Sequence, residues 1–563
     1  MSSVQATRAS AVDNALGIQT DLTTGNWSSI PEMIAQATYI GAETVRVLSP
    51  TANNWTVKYG YVDQLANAGV KLDFLPDTSV SPGENASAIA AFLTAHPGSV
   101  RLIEGPNEPN NWGVNYAGQS GVAGAQAWQH DFYAALKANP MTAPIAVAGV
   151  SSYPAVAVAS DENNLHVYPP YGDQPYASLA GANSVQSSVD PGKPFVITEF
   201  GWSTAPQSVS AGASVDEATQ AKLLLNGYLD AVGLGATYVG LYALRDWPFT
   251  DFGAYYGMFH SDGAPKPAAA ALHNLETILQ DSGAGAGSFA PGSLDYSLTA
   301  SAEVRSMLMQ KSSGEFVLAL WREPDVWNET AGVAIQPGGE SVSIKLAAPA
   351  NIAIYDPLVT DLATGSLAGA RSLALTVTDH PVLLVLNAGS GPPVSNPAPP
   401  SHGNLLVNGG FETGPAPEAF TGLGAGSTAI AGWTVTGGNI DLIGDFWRAA
   451  EGAKSLDMNG STAGSIAQTF ATEVGHRYEV HFALAANFDD QRVHGIRAAA
   501  AGTSQDYYAN AAGHTANAMG WSNQSFQFTA TDVHTTLEFA GLDPSYWGAA
   551  LDNVSVTPID LAM

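Results

Sequence analysis

Val100-Arg101-Leu102-Ile103-Glu104-Gly105-Pro106-Asn107-Glu108-Pro109-Asn110 is a short apolar run that ends on two carboxylates and a proline turn. A near-continuous apolar run of this length is what a strand buried on both faces of a parallel sheet looks like. The same unit recurs on either side of it. Leu16–Asp21, Thr44–Ser49 and Lys71–Pro76 precede it; Pro144–Val150, Asn164–Tyr168, Pro194–Phe200 and Thr237–Leu244 follow it. Between these runs lie stretches with helical periodicity, among them Ile30–Gly41, Val62–Ala68, Ala86–His96, Gln126–Ala138, Ala218–Val232 and Lys266–Leu279. Eight strands with helical connections in about 270 residues predict an α/β fold, a (β/α)8 barrel over residues 1–283. No Gly-x-Gly-x-x-Gly opens the first helix, which argues against a dinucleotide-binding sheet.

Beyond the barrel the period changes from helical to two. Phe316–Trp321, Ser341–Leu346, Asn351–Tyr355 and Pro381–Leu386, separated by Gly, Pro and Asp turns, predict a β-sandwich over 284–388 packed on the barrel. Residues 389–402 are mostly Gly, Pro and Ser with almost nothing able to join a core, and predict a linker. Short strands return in 403–563, at Gln468–Phe470, Arg477–Leu484, Ser525–Ala530 and Leu551–Val556, and predict a jelly roll.

The whole composition narrows the function. The 563 residues carry 50 Asp and Glu against 20 Lys and Arg, a formal charge of −30, so a polyanion such as DNA or RNA is repelled. There is no cysteine, which removes disulfides, thiolate metal sites and cysteine nucleophiles together. No apolar stretch approaches the ~20 residues of a membrane span. Met1–Gln5 has neither a basic n-region nor an apolar h-region; the expectation is a secreted, periplasmic or cell-surface protein whose signal is absent or trimmed. Oligomeric state is left open.

In a barrel the strand ends carry the chemistry. Strand four ends in Glu104 to Asn110, strand seven in Thr198-Glu199-Phe200-Gly201-Trp202, strand six in His166-Val167-Tyr168, and strand eight in Arg245-Asp246-Trp247; strand two bears Arg46. Two carboxylates across a barrel mouth are what glycoside hydrolysis requires, one to protonate the leaving oxygen and one to attack or support the anomeric carbon. Trp247 and Trp202 offer flat faces for pyranose rings, and Asn107 an amide for hydroxyls. Other roles stand beside these: Glu108 capping a helix start, His166 and Tyr168 as a hydrogen-bonded core pair, Trp247 as packing, Glu104 as a buried partner of Arg46. Asn54, Trp55, Asp77 and Trp112 lie on strand-end loops that could form subsites.

On Glu104-x-x-Asn107-Glu108-Pro109 and Glu199, the chain resembles clan A of the glycoside hydrolases, with the barrel-plus-sandwich layout most similar to family 39. Where that clan has an aromatic before Asn-Glu-Pro, this chain has Gly105-Pro106. The resemblance implies a retaining double displacement on a polysaccharide or oligosaccharide, with no cofactor. Glu108 would be the acid/base, its pKa held up by the charge of Glu199. Glu199 would be the nucleophile, Asn107 the partner of the 2-hydroxyl, Arg46 a brace, and His166 or Tyr168 the group orienting Glu199. A transglycosylase using the same residues, and a non-catalytic glycan-binding protein, are the alternatives.

The last module opens Asn404-Leu405-Leu406-Val407-Asn408-Gly409-Gly410-Phe411-Glu412 and closes Leu551-Asp552-Asn553-Val554. These ends resemble galactose-binding-like jelly rolls of the carbohydrate-binding and choice-of-anchor C kind. The resemblance implies a structural calcium held by Glu412 and Asp552, whose oxygens are of the hard type that ion takes; capping of turns is the other role for them. Trp433, Trp447 and Trp547 could stack on sugar or fill the core.

Overall fold

Eight strands pair in parallel in the order Ala146–Val147, Val100–Ile103, Lys71–Leu75, Thr44–Leu48, Leu16–Gln19, Ala236–Leu241, Phe195–Phe200, Asn163–Val167. The two edges of this sheet meet through a parallel bridge, Ala148 to Glu162, with the Gly149 N–H donating to the Glu162 carbonyl at 2.9 Å. The result is a nearly closed barrel in a mixed α/β fold. The computed structural model describes residues 1–563 apart from 21–29, 52–59, 211–212, 248–251, 282–284, 362, 389–403, 473–476, 532–533 and 560–563. Asn54 and Trp55 lie outside the described residues.

Helices Ile30–Tyr39, Tyr61–Asn67, Pro82–Ala95, Gly121–Ala138, Pro175–Val189, Glu217–Gly233 and Pro267–Leu279 alternate with the strands. Their starts are written locally. Ser81 and Glu84 form a reciprocal capping box ahead of Pro82, and Asp216 accepts from the Thr219 N–H at 2.7 Å. Between Ala146–Val147 and Asn163–Val167 no described residue is helical. Inside the barrel a small apolar layer of Leu102, Ala148, Val196 and Tyr238 closes the floor. Gly17 makes room for it, since a Cβ there would lie 2.2 Å from the Tyr238 ring. Above that floor the interior turns polar: Arg46, Asp73, Glu104, Asn164 and Thr198 are all buried.

The second sheet corrects a boundary. Its strand order is Ser2–Gln5, Ser293–Thr299, Glu340–Tyr355, Val382–Ala388, Phe316–Arg322, Val304–Gln310, Thr7–Arg8, with Ala363–Val377 hairpinned onto Glu340–Tyr355. Residues 2–8, expected in the barrel, supply both of its outer strands, because their partners lie nearly 300 residues along the chain. By hydrogen bonding this is one sheet; by packing it makes two layers. Glu340–Tyr355 breaks register between Lys345 and Ala350, so its first part pairs with Ser293–Thr299 and its second with Val382–Ala388. Val342, Ile344 and Leu346 then cover Leu318, Leu320, Leu384 and Leu386. The alternate residues Val317, Ala319, Trp321, Leu383 and Val385 belong to the core that runs into the barrel helices.

This barrel and sheet form one unit, Met1–Asn396, and Pro397–Met563 forms another. The second unit is two antiparallel sheets of six and five strands enclosing Trp433, Phe482, Leu484, Phe539 and Leu551. Among the described residues no helix is long and apolar enough to cross a membrane.

Candidate active site

Arg46 is the hub of the site. On the second strand, buried to 1% exposure, it donates to both oxygens of Glu104, to Glu199 Oε1 at 2.6 Å, to Gln19 Oε1 at 2.8 Å and to Asn107 Oδ1 at 2.9 Å. Five acceptor atoms around one guanidinium use the donor fork fully. Burial alone would raise the Glu104 carboxyl, but Arg46 beside it wins and holds it below the ordinary range. Glu104 is therefore the buried partner of Arg46. Deeper still, burial and then the charge of Glu104 push the Asp73 carboxyl well above the ordinary range.

Strand six contributes alternate residues to the interior. Asn164 Nδ2 donates to Glu104 Oε2 at 3.2 Å, His166 Nδ1 lies 2.9 Å from Glu108 Oε1, and Tyr168 donates to Glu199 Oε2 at 2.6 Å. A register slip between Leu165–Ile197 and His166–Glu199 skips Thr198, which lets the neighbours Thr198 and Glu199 both reach the site. Tyr168 thus orients Glu199, while His166 Nδ1 lies nearer Glu108, at 2.9 Å, than Glu199, at 3.5 Å.

The proton positions on this chain can be deduced. Thr198 Oγ1 donates its one proton to Asn164 Oδ1 at 2.8 Å, so at its 3.0 Å contact with His166 Nε2 it must accept. His166 therefore carries a proton on Nε2. Nδ1 is left to face the two carboxylates, Glu108 Oε1 at 2.9 Å and Glu199 Oε2 at 3.5 Å. The hydrogen bond to His166 is the largest influence on Glu108 and draws its carboxyl below the ordinary range. This corrects the expectation that Glu199 holds it up: the imidazole sits closer to Glu108 than any repulsive charge.

Glu108 is also held in an unusual backbone state, φ 35°, immediately before a proline, where the chain normally runs extended. Its N–H donates to Ser151 Oγ at 3.2 Å, and its carbonyl accepts from the N–H groups of Asn111 and Trp112, each at 2.8 Å. That knot turns the side chain toward Glu199. Carboxylate oxygens of Glu108 and Glu199 and a ring nitrogen of His166 all lie within 4.8 Å of one another.

The aromatic wall differs from expectation. Trp202 is 4% exposed and packs edge-on against Phe200 at 5.0 Å, so it is core and not a sugar platform. Trp247 is half-buried against Tyr242 at 6.2 Å. Beside Glu199 the rings are Tyr168, Tyr242 and Tyr256, mutually edge-on at 5.5 to 6.1 Å. Trp112 is 68% exposed, whereas Asp77 is tied into a turn by Ser79 and Thr51. Gln19, Asn164, Thr198 and Tyr256 were missed. Gln19 ends strand one and Asn164 precedes His166 by one strand period, so the same strand-end search extended inward finds both.

In the second unit, Glu412 Oε1 accepts from the Ala453 and Lys454 N–H groups at 2.7 and 2.8 Å. Asp552 is buried and accepts from the N–H groups of Ala450 and Glu451 at 2.9 Å and of Asn553 at 2.7 Å, its carboxyl pushed up to about 7 by burial. The two carboxylates staple the 450–454 loop from both sides. Trp433 and Trp447 are core, their Nε1 groups donating to Asn408 O and Ser455 Oγ, while Trp547 is exposed.

Residues 404–557 match the family described as "Protein of unknown function (DUF642)". Halomucin of Haloquadratum walsbyi is 34% identical over 171 residues, which is 28% of this chain and 2% of that protein. The chain thus spans a small fraction of that curated relative. Among solved structures, a family 39 glycoside hydrolase from Bacteroides cellulosilyticus is similar at TM-score 0.46 and 14% identity, covering 67% of this chain and 82% of that one. A glucosidase from Croceicoccus marinus is similar at TM-score 0.44 and 11% identity, covering 69% and 97%. A β-1,3-glucanosyltransferase from Rhizomucor miehei is similar at TM-score 0.37 and 15% identity, covering 46% and 97%.

Proposed function

We propose that the chain is a retaining glycoside hydrolase, with a (β/α)8 catalytic barrel that begins after the N-terminal strands and runs to about residue 283, and with 403–563 an accessory glycan-binding module, acting outside the cell on a polysaccharide or oligosaccharide. The observation that carries this is the Glu108–Glu199 pair. Its nearest oxygens lie within 4.8 Å, which suits the ~5–5.5 Å carboxyl spacing of double displacement better than the ~6.5–9.5 Å that leaves room for an attacking water.

Each group then has one task. Arg46 on Oε1 and Tyr168 on Oε2 fix the plane of the Glu199 carboxylate, which attacks the anomeric carbon and forms a glycosyl ester. Glu108 in its protonated form gives its proton to the leaving oxygen. Glu108, now a base, takes a proton from water as that water displaces Glu199. Asn107, held by Arg46, faces the sugar with its amide N–H groups. Glu104, bonded to Arg46 through both its oxygens, keeps the guanidinium in place.

A panel of polysaccharides assayed for new reducing ends tests the activity, and NMR of the first-formed product tests the mechanism. Retained anomeric configuration is expected; an inverted first product overturns the double displacement. Glu199→Gln should abolish turnover. Glu108→Ala should cost roughly 10²–10⁴-fold with poor leaving groups, with azide restoring part of the rate as a retained glycosyl azide. For the second unit, a calcium ion shared by Glu412 and Asp552 would use the carboxylate lone pairs left over from the loop staples. A chelator that lowers the melting temperature of that unit supports the ion, and an unchanged melt removes it.

A further inference from the structure

The seam of the barrel between strands five and six is held by the Ala148–Glu162 bridge, and above that bridge the wall opens. A cavity of about 360 Å³ fills the gap. It starts at Glu108 and His166, passes between Ser151–Ala155 and Asn164–His166, and ends against helix Pro175–Val189 at Gly181, Val185 and Gln186. The missing helix between these strands is what leaves the flank free. Tyr153, 83% exposed, and Val185, 55% exposed, stand at its outer end, so the cavity is a passage from the mouth to solvent.

We propose that this passage binds the leaving-group side of a neutral oligosaccharide and conducts it out through the barrel wall. The proposal rests on the glycosidase function above. The leaving oxygen must lie within reach of Glu108 to be protonated, so whatever is attached to it continues on the Glu108 side. The passage contains Glu108 but neither Glu199 nor Arg46, which places it on that side alone. Its size is that of a small-ligand site. Its lining mixes amide and hydroxyl groups with Tyr153, Leu165 and Val185, the combination that takes a pyranose ring with polar edges and apolar faces. No Lys or Arg is among the described lining residues, so a uronic acid or sulfated sugar would bring a charge with no partner next to Glu108. The open outer end admits more than one sugar beyond the scissile bond.

Gly181 offers the test. Gly181 lines the cavity and a Cβ there meets nothing within 4 Å, so Gly181→Phe puts a ring at the cavity wall without a clash, and removing a mid-helix glycine favours the helix. Two probes share one glycon: the neutral oligosaccharide that the wild type cleaves, and the corresponding glycosyl fluoride, whose leaving atom needs no passage. Gly181→Phe should lower kcat/KM on the oligosaccharide at least 10-fold and leave the fluoride within 2-fold. Tyr153→Ala, at a site too exposed to threaten folding, should lower the oligosaccharide alone by 3-fold or more. Equal effects on both probes, or none on either, overturn the passage as a subsite. Turnover of acidic oligosaccharides equal to neutral ones overturns its preference. If the wild type cleaves no neutral oligosaccharide and no glycosyl fluoride at all, the glycosidase function itself fails, and the passage with it.

Discussion

At the scale of the residue, the most informative atom is His166 Nδ1. It lies 2.9 Å from Glu108 Oε1, and removing the ring removes the hydrogen bond that draws the Glu108 carboxyl down. His166→Ala should therefore raise the Glu108 pKa. In the proposed mechanism the acid must be protonated before substrate binds, so the basic limb of the kcat/KM profile should move to higher pH, and titration of activity against pH checks it. A limb that stays put would detach His166 from the acid. Tyr168→Phe removes the hydroxyl on Glu199 Oε2 at 2.6 Å; a lost hydrogen bond to a charged group is worth ~1.5–3 kcal/mol, about 10- to 150-fold in kcat. Glu108, Glu199, Arg46 and Glu104 were legible in the sequence because each ends or lines a strand. That His166 faces Glu108 was not, because it depends on a register slip between two strands that single-chain periodicity does not encode.

At the scale of the element, the apolar strands announced themselves because burial on both faces leaves few polar positions. Strand five was drawn too long: Pro144–Val150 was expected, and Ala146–Val147 is the paired part. Beyond it the chain splays to form the passage wall. Trp202 was taken for a mouth residue because it follows strand seven closely, but the chain turns outward at Gly201, where a Cβ would press on the Tyr242 carbonyl at 2.4 Å, and carries the ring into the core. Strand one has a sharper requirement. Gly17→Ala places a methyl into the Tyr238 ring, and overpacking of a filled interior costs about 1–3 kcal/mol. A lowered melting temperature is expected; an unchanged one would mean that the floor of the barrel is looser than it is drawn here. Ser81→Ala, at the capping box, should cost about 1 kcal/mol by the same measurement.

At the scale of the molecule, charge governs the response to solvent. Asp230, paired with Glu323 where the barrel meets the second sheet, has its carboxyl pushed up to about 10 by burial and then by that neighbour. The folded chain keeps a proton there that the unfolded chain, with an aspartate near pH ~3.9, gives up. Its stabilising effect is full below ~4 and is lost as pH climbs toward about 10. His380, held between Asp356 and Asp379, acts in the same sense: although burial opposes it, those hydrogen bonds raise it to about 9, and its contribution fades as pH rises through that value. Unit one should therefore melt at progressively lower temperature from pH 5 to 9.5. Asp230→Asn, an uncharged mimic of the protonated acid, should flatten that slope; a slope identical to wild type would place the effect elsewhere. The formal charge of −30 adds self-repulsion that salt relieves, so melting temperature should rise as the Debye length shrinks from ~30 Å to ~3 Å between 0.01 and 1 M.

The N-terminal strands carry a consequence in time. Gln5 Oε1 accepts from Ser293, 288 positions later, and Ser2–Gln5 and Thr7–Arg8 are the two outer strands of a sheet whose remaining strands all come after the barrel. A ribosome working at ~5–20 residues per second needs on the order of 15 to 60 s to make the intervening chain. Throughout that interval the first eight residues have no strand to pair with, and the barrel emerges with the surface that the second sheet covers still bare. The yield of native protein should therefore depend on translation speed and chaperone supply as well as on the equilibrium stability of the parts.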